Sequence, residues 1–295
     1  MCLHFCTSLH YEELIFADKF TNNYIPHHQP FQYYASTQNL MHARPGSISA
    51  IGHSYAADGT TADPAHHQYD IHDFFDAIST GNFPAVSFLK APGYQDGHSG
   101  YSDPLDEQVF ITHTINFLQQ QPDWSSTLIV IAYDDSDGWY DHQMSPIVNP
   151  SNLKAGTSAN ITSNGVVIAG LGDFLNGNGM CHSGLQQDAA PVDTALAGAD
   201  GQNNAQGRCG YGPRLPLLVI SPYAKTNYVD HTLTDTSSAL RFIEDNWLGS
   251  QRITGSFDVI AGQLTNMLNF NAKPGAAKLI LDPVSGQPVA RHSEK

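Results

Sequence analysis

The chain has 295 residues, of which 41% are hydrophobic, and its 28 acidic residues against 13 basic ones give a net charge of −15. This length allows a sizeable buried core, its apolar runs are shorter than the roughly 18 residues that cross a membrane, and its negative charge repels polyanions. We therefore expect a soluble globular protein without stable membrane insertion and without a nucleic-acid partner.

Residues 1–20 form an atypical N-terminal segment. They lack the basic stretch, the apolar stretch and the small-residue cleavage site of a signal peptide. A helix-like run that includes Glu12 and Glu13 continues without a turn into the next motif. This start is compatible with a truncated or a mis-started chain, and we expect the main domain to begin near residue 21.

The motif PHHQPFQYY holds two adjacent histidines, His27 and His28, between two prolines. Neighbouring residues of an extended segment point to opposite sides, so we expect one imidazole to face a site and the other to support it. The aromatic residues that follow favour attachment to the edge of a core. A histidine pair on a surface loop is the alternative interpretation.

Short apolar runs alternate with amphipathic segments along the rest of the chain, and this alternation favours a layered α/β fold. The predicted strands are Ala85–Lys90, Thr127–Tyr133 and Leu215–Ser221. Three predicted helices begin after aspartates that can cap a first turn, namely Asp70, Asp103 and Asp235.

A glycine-rich loop follows the first predicted strand and contains His98. Gly93, Gly97 and Gly100 permit tight backbone turns around this histidine. Because loops that leave a rigid scaffold commonly carry functional side chains, His98 is a candidate catalytic residue. A histidine in an ordinary turn is the alternative.

An acidic cluster follows the second predicted strand, where Asp134 and Asp135 come directly after its last residue. The carboxyl ends of strands line the ligand crevice of open α/β sheets. Adjacent carboxylates there are costly unless a cation neutralises them, whereas a turn that caps a helix needs only one aspartate. We predict that the pair binds one divalent metal ion of open identity.

Asp141 and His142 lie a few residues beyond this pair. They suit a second shell around the metal or a contact with substrate. Stabilisation of a turn is an equally open interpretation.

Residues 149–212 are rich in Asn, Gly, Ser and Ala, and we interpret them as a surface insertion in one domain that spans residues 21–272. A linker between two domains is the alternative. Cys181 and Cys209 lie within this segment, either as a disulfide or as two free thiols. Residues 273–295 form a polar tail that we expect to fray.

Five ordered blocks of sequence carry a resemblance to a known family. The blocks are PHHQPFQYYA, GNFPAVSFLKAPGYQDGHSGYSDPLDEQ, WSSTLIVIAYDDSDGWYDH, RLPLLVISPYAK and DHTLTDTSSALRFIEDNW. Together they resemble the bacterial phosphoesterase family of acid phosphatases and phosphatidylcholine-type phospholipases C. The resemblance implies an alkaline-phosphatase-like α/β/α sandwich and an exported hydrolase, periplasmic or secreted.

The resemblance also implies roles for individual residues. Asp134 and Asp135 match the family's metal ligands, and His27, His28 and His98 match active-site histidines that hold phosphoryl oxygens or protonate the leaving group. The implied reaction is metal-assisted hydrolysis of a phosphate ester, acid phosphatase-like, on a small-molecule ester or a phospholipid head group. A phospholipase C is the alternative activity.

One departure from the family pattern stands out. Relatives begin with a strand and an MENRSFD-like motif that completes the metal site, and a further segment supplies the hydroxyl nucleophile; neither is recognisable in this sequence. We therefore expect a sandwich that is incomplete at its N-terminus and an isolated chain of low or absent activity. A non-catalytic remnant or binding module, and more remotely a metal-sequestering protein, are the alternatives outside catalysis.

Overall fold

The computed structural model describes residues 2–3, 24–25, 28–100, 102–134, 136, 141–143, 161–163, 166–168, 211–253, 257–271, 274 and 278–289. The chain divides into two compact units. Unit 1 comprises Met1–Ile129, Ile220–Ala224 and Phe270–Lys295, and unit 2 comprises Val130–Val219 and Lys225–Asn269.

The secondary structure is mixed α/β, as the sequence predicts. The helices are α1 (Ile71–Ser79), α2 (Pro104–Gln120) and α3 (Ser237–Trp247). The strands are β1 (Cys2–Leu3), β2 (Thr127–Ala132), β3 (Ile161–Ser163), β4 (Val166–Ile168) and β5 (Leu217–Ile220). One sheet has the order β1–β2–β5, with β1 parallel to β2, and β3 pairs with β4 in an antiparallel ladder.

All three predicted helix starts are confirmed. They could be predicted because the side chains that accept backbone hydrogen bonds at each start lie within a few residues of it. Asp103 accepts hydrogen bonds from the backbone N–H groups of Leu105 and Asp106 at 2.7 and 3.0 Å. Asp235 accepts from the backbone N–H of Ser237 at 2.8 Å. At α1 the backbone N–H of Asp70 donates to the side chain of the helical residue Asp73 at 3.0 Å.

The core of unit 1 forms where the apolar face of α1 meets the preceding loop and the end of α2. Its buried cluster comprises Ile51, Ala65, Tyr69, Ile71, Phe74, Ala77, Ile78 and Leu118. Two buried acids at the start of α1, Asp70 and Asp73, are neutralised by Arg44 at 3.1 and 2.7 Å. This core gives a fixed base to the loops that carry the candidate site of unit 1.

The predicted strands over Thr127–Tyr133 and Leu215–Ser221 are confirmed as β2 and β5, with shorter ends. Pro216 stands immediately before β5 and has no N–H to donate, which agrees with the later start of that strand.

The predicted strand Ala85–Lys90 is wrong, because this segment has no regular secondary structure. The ring of Phe88 packs against Phe31 with centroids 5.2 Å apart, and Leu89 packs against the core cluster. The run is apolar because it covers the core, and a short apolar run does not by itself reveal how its backbone is paired.

The expectation of a frayed tail is wrong for residues 278–289. The side-chain amide of Gln119 bonds both the N–H and the carbonyl of Leu279, at 2.9 and 2.8 Å, and Asn116 does the same for Leu281 at 3.2 and 2.6 Å. Gln108 donates to the carbonyls of Pro283 and Val284. Helix α2 thus holds this segment through backbone groups that fraying would leave to water.

The structure adds one observation about membranes. Within the described ranges, no helix combines the length and the apolar character needed to span a bilayer.

Candidate active site

The first part of the candidate site is the segment around His28 in unit 1. The backbone N–H of His28 donates to the carbonyl of Ile25 at 3.0 Å, and a short 3₁₀ helix, Pro30–Tyr33, begins two residues later. Phe31 of this helix packs against Phe88. The segment is therefore fixed to the chain that leads into the loop of His98.

His28 lies beside a carboxylate of that loop. Its Nδ1 is 3.5 Å from Oδ2 of Asp96, both atoms are buried, and the two side chains are 16% and 8% exposed. Attraction between charges is stronger away from water. The carboxylate lies within ion-pair distance of the ring, without a hydrogen bond between these two atoms, and it attracts the imidazole of His28 when that ring is protonated.

The second oxygen of Asp96 serves the other candidate histidine. Its Oδ1 accepts a hydrogen bond from the backbone N–H of His98 at 2.9 Å. One carboxylate thus connects the His28 ring to the backbone of His98, and two histidines that are far apart in sequence belong to one local arrangement.

Gly97 makes this arrangement sterically feasible. Its φ is +78°, a region that residues with a side chain rarely adopt, whereas the atom nearest to an added Cβ, Oε2 of Glu107 at 2.6 Å, is the end of a flexible side chain that can move. The loop is closed at the start of α2, where Ser102 donates its backbone N–H to the carbonyl of His98 at 2.9 Å. The turn between Asp96 and His98 therefore requires glycine.

The imidazole of His98 has a defined tautomer when it is neutral. Its Nδ1 accepts a hydrogen bond from the backbone N–H of Gly100 at 3.0 Å, so the ring proton resides on Nε2. His98 is exposed to solvent. Its Nε2–H group is a suitable donor for an anionic oxygen.

The acidic cluster belongs to unit 2, and the structure describes part of it. Asp134 lies two residues beyond the end of β2 and is exposed. His27 and Asp135 lie outside the described residues, as do Cys181 and Cys209. Within the described part of the chain, no group of three or more His, Cys, Asp or Glu side chains is arranged to hold a metal ion.

Asp141 has a partner that the sequence interpretation did not foresee. Arg214 donates to it three times, from its backbone N–H at 2.8 Å and from Nε and Nη2 at 2.9 and 2.8 Å. Hydrogen bonds from Arg214 hold the pKa of the Asp141 carboxyl well below its usual range. His142, its neighbour, is exposed.

Asp96 is the residue of the candidate site that sequence reasoning missed. The available signal was the DGH tripeptide itself, an acid two positions before the candidate histidine with a glycine between them. An aspartate followed by glycine commonly marks a turn in which its carboxylate accepts a nearby backbone N–H.

Comparison with known proteins finds the same family that the five sequence blocks resemble. The model of the phosphoesterase family matches residues 10–248. Non-hemolytic phospholipases C from Burkholderia pseudomallei and Pseudomonas aeruginosa are both 27% identical to the chain, over 222 and 195 residues. Phospholipase C B from Mycobacterium tuberculosis is 26% identical over 212 residues.

These alignments cover 73%, 65% and 71% of this chain, in the same order, but 27%, 24% and 34% of the relatives. The chain therefore spans about a quarter to a third of the length of the curated relatives it matches.

Proposed function

This chain belongs to the phosphoesterase family, and we propose that it acts on the phosphate ester of a phospholipid head group. The names of the relatives favour this substrate over the simple phosphate monoester that the sequence analysis placed first. The observation that carries the proposal is the position of Asp96, whose carboxylate lies 3.5 Å from the ring of His28 and accepts a hydrogen bond from the backbone of His98.

The chemistry of the two histidines suits a phosphate ester. A charged imidazole of His28 attracts phosphoryl oxygens in a chain whose net charge otherwise repels them. His98 donates a hydrogen bond from its Nε2–H group to a phosphoryl oxygen. A fixed donor of this kind stabilises the negative charge that develops on the oxygen in the transition state, and removing one commonly costs about 10²- to 10³-fold in rate.

The metal requirement and the overall architecture form a second part of the proposal. We propose that Asp134 and Asp135 bind one divalent ion, and an ion of this kind would neutralise charge on a phosphoryl group. We also propose an alkaline-phosphatase-like α/β/α sandwich and a location in the periplasm or outside the cell. Equal metal content in purified wild type and Asp135→Asn would contradict this ligand assignment.

Binding tests the histidine site without requiring turnover. Phosphocholine and inorganic phosphate are titrated into the protein while the imidazole signals of His28 and His98 are followed by NMR. We expect both ligands to shift both signals. Asp96→Asn should weaken binding by about tenfold or more, since supporting partners of site residues commonly contribute about 10- to 100-fold.

Asp123→Asn is the matched control, because it removes an exposed carboxylate from the same unit. It should bind both ligands as wild type does. Signals that do not respond to millimolar ligand, or equal weakening in both variants, would overturn the proposed site.

Hydrolysis distinguishes the two substrate classes. Phosphocholine release from phosphatidylcholine indicates a phospholipase C, and phosphate release from an aryl phosphate indicates a phosphatase. We expect slow turnover, because no Ser or Thr of this sequence matches the family's nucleophile position. Turnover at an ordinary enzyme rate would show that this expectation about the nucleophile is wrong.

A further inference from the structure

The segment that follows His28 has no formal charge. Residues 29–43, QPFQYYASTQNLMHA, contain no Asp, Glu, Lys or Arg, although the chain has 28 acidic and 13 basic residues. We call these residues the clamped loop. A strongly acidic protein here presents a segment without carboxylates, directly after a candidate site residue.

The clamped loop exposes large apolar side chains to solvent. Tyr33 and Tyr34 are 75% and 62% exposed, and Leu40 and Met41 are 70% and 87% exposed. Single exposed apolar residues are ordinary, but clustered ones commonly mark an interaction surface. Four large apolar residues are exposed among these fifteen, and the loop is therefore a candidate interaction surface.

This exposure does not result from a loosely tethered backbone. The side-chain amide of Gln32 bonds both the N–H and the carbonyl of Asn39, at 2.7 and 3.3 Å, and the amide of Asn39 bonds both backbone groups of Ala43 at 2.9 Å. Gln68 donates to the carbonyl of Thr37 at 2.9 Å. These hydrogen bonds fix the backbone of the loop at Thr37, Asn39 and Ala43, while its four large apolar side chains remain exposed.

The clamped loop is also continuous with the candidate site. Phe31 anchors it on Phe88, eight residues before Asp96, and His28 immediately precedes it. A surface that contacts the loop therefore lies next to the residues that we propose to bind a head group.

We propose that the clamped loop docks reversibly on the surface of a phospholipid bilayer and inserts Tyr33, Tyr34, Leu40 and Met41 among the head groups. Tyrosine suits this boundary, because its ring is apolar and its hydroxyl is polar. The loop lacks carboxylates that lipid phosphates would repel. The choice of a lipid partner rests on the proposed function, but vesicle binding is measured without hydrolysis.

Sedimentation with vesicles tests the proposal. The full chain is mixed with sucrose-loaded vesicles of phosphatidylcholine, and the variant Leu40→Ser/Met41→Ser is compared with wild type. We expect the partition coefficient to fall about tenfold or more, since membrane binding scales with buried apolar area. Binding of wild type should change little between low and moderate salt, because the loop is uncharged.

Leu279→Ser/Val284→Ser is the matched control, since it removes two aliphatic side chains of the same unit that are 60% and 75% exposed. It should bind vesicles as wild type does. Equal loss in both double variants, or no vesicle binding by wild type, overturns the proposal. Self-association that disappears in Leu40→Ser/Met41→Ser identifies a second copy as the occupant and also overturns it.

Different measurements test the proposed head-group site and the proposed membrane-docking loop, so one proposal can fail while the other holds. Leu40→Ser/Met41→Ser should retain phosphocholine binding at His28 and His98, which also shows that the variant is folded. Vesicle binding without phosphocholine binding refutes the proposed function, whereas the reverse result refutes the docking surface.

Discussion

Helices α2 and α3 each contact an irregular segment that comes later in the chain. The contacts of α2 are made by neutral side chains, whereas those of α3 are made by charged ones. On α2, the neutral amides of Gln108, Asn116 and Gln119 bond backbone groups between residues 279 and 284. On α3, charged side chains contact Arg252 and Asp258. The first attachment involves no group that titrates.

The attachment of α3 buries charge. Glu244 and Asp258 are 2% and 0% exposed, and Arg252 reaches Glu244 at 3.2 Å and Asp245 at 2.5 Å. Burial raises the pKa of the Glu244 carboxyl, and the neighbouring charge of Asp258 raises it further. Arg252 supplies positive charge beside this acid pair.

The difference has a thermodynamic meaning. A hydrogen bond between neutral groups contributes the same free energy at any moderate pH and salt concentration. A buried acid pair makes stability depend on protonation. The two attachments should therefore respond differently to pH and salt, although both join a helix to an irregular segment.

The largest expected effect comes from Arg252→Gln, which removes the positive charge beside Glu244 and Asp258. Breaking a buried pair is strongly destabilising, because the remaining charge has no compensation. We expect a clear loss of stability in urea denaturation. Arg214→Gln is the control, since Arg214 is 73% exposed whereas Arg252 is 19% exposed, and a comparable loss there would contradict the importance of burial at the arginine.

The next effect comes from Gln119→Ala on α2. This change removes two hydrogen bonds to the backbone of Leu279, and at about 1 kcal/mol for each bond we expect a loss of about 2 kcal/mol. Urea denaturation measures the loss, and we expect it to be the same between about pH 5 and 8. Gln120→Ala is the control, because Gln120 is exposed and donates only within its own helix; an equal loss there would show that the contact with Leu279 contributes nothing.

The smallest expected effect is the contribution of Glu244 to the pH dependence of the free energy of unfolding. Its pKa is raised in the folded state, so the folded protein binds more protons than the unfolded one between the ordinary value, 4.5, and the raised one. The free energy of unfolding should therefore fall as pH rises through this window. Glu244→Gln removes this contribution, so the difference between variant and wild type should change with pH across the window. A constant difference would mean that Glu244 is not protonated on folding.

The sequence predicted the parts of this molecule that depend on neighbouring residues. Helix starts at Asp70, Asp103 and Asp235 follow from capping within one turn, and the motifs predicted the family. The segment Ala85–Lys90 was misjudged because strand pairing depends on a distant partner. The anchored tail was missed for the same reason, since its contacts join residues 160 to 176 positions apart.

In the candidate site too, the sequence did not reveal contacts that depend on the folded backbone or on distant residues. His28 and His98 were predicted separately, and the sequence did not reveal that Asp96 connects them, because this depends on the positive φ of Gly97. The partner of Asp141 was missed because Arg214 lies 73 positions away. The predicted metal ligands and the role of His142 remain predictions.

The amide contacts of α2 also set an order of events during synthesis on the ribosome. Gln119 emerges 160 residues before Leu279, the backbone that it bonds. Until then its buried amide has no native partner, and contacts of such separation form late because a long loop must close first. Nascent unit 1 should therefore remain vulnerable to proteases until the segment around residue 280 has been translated.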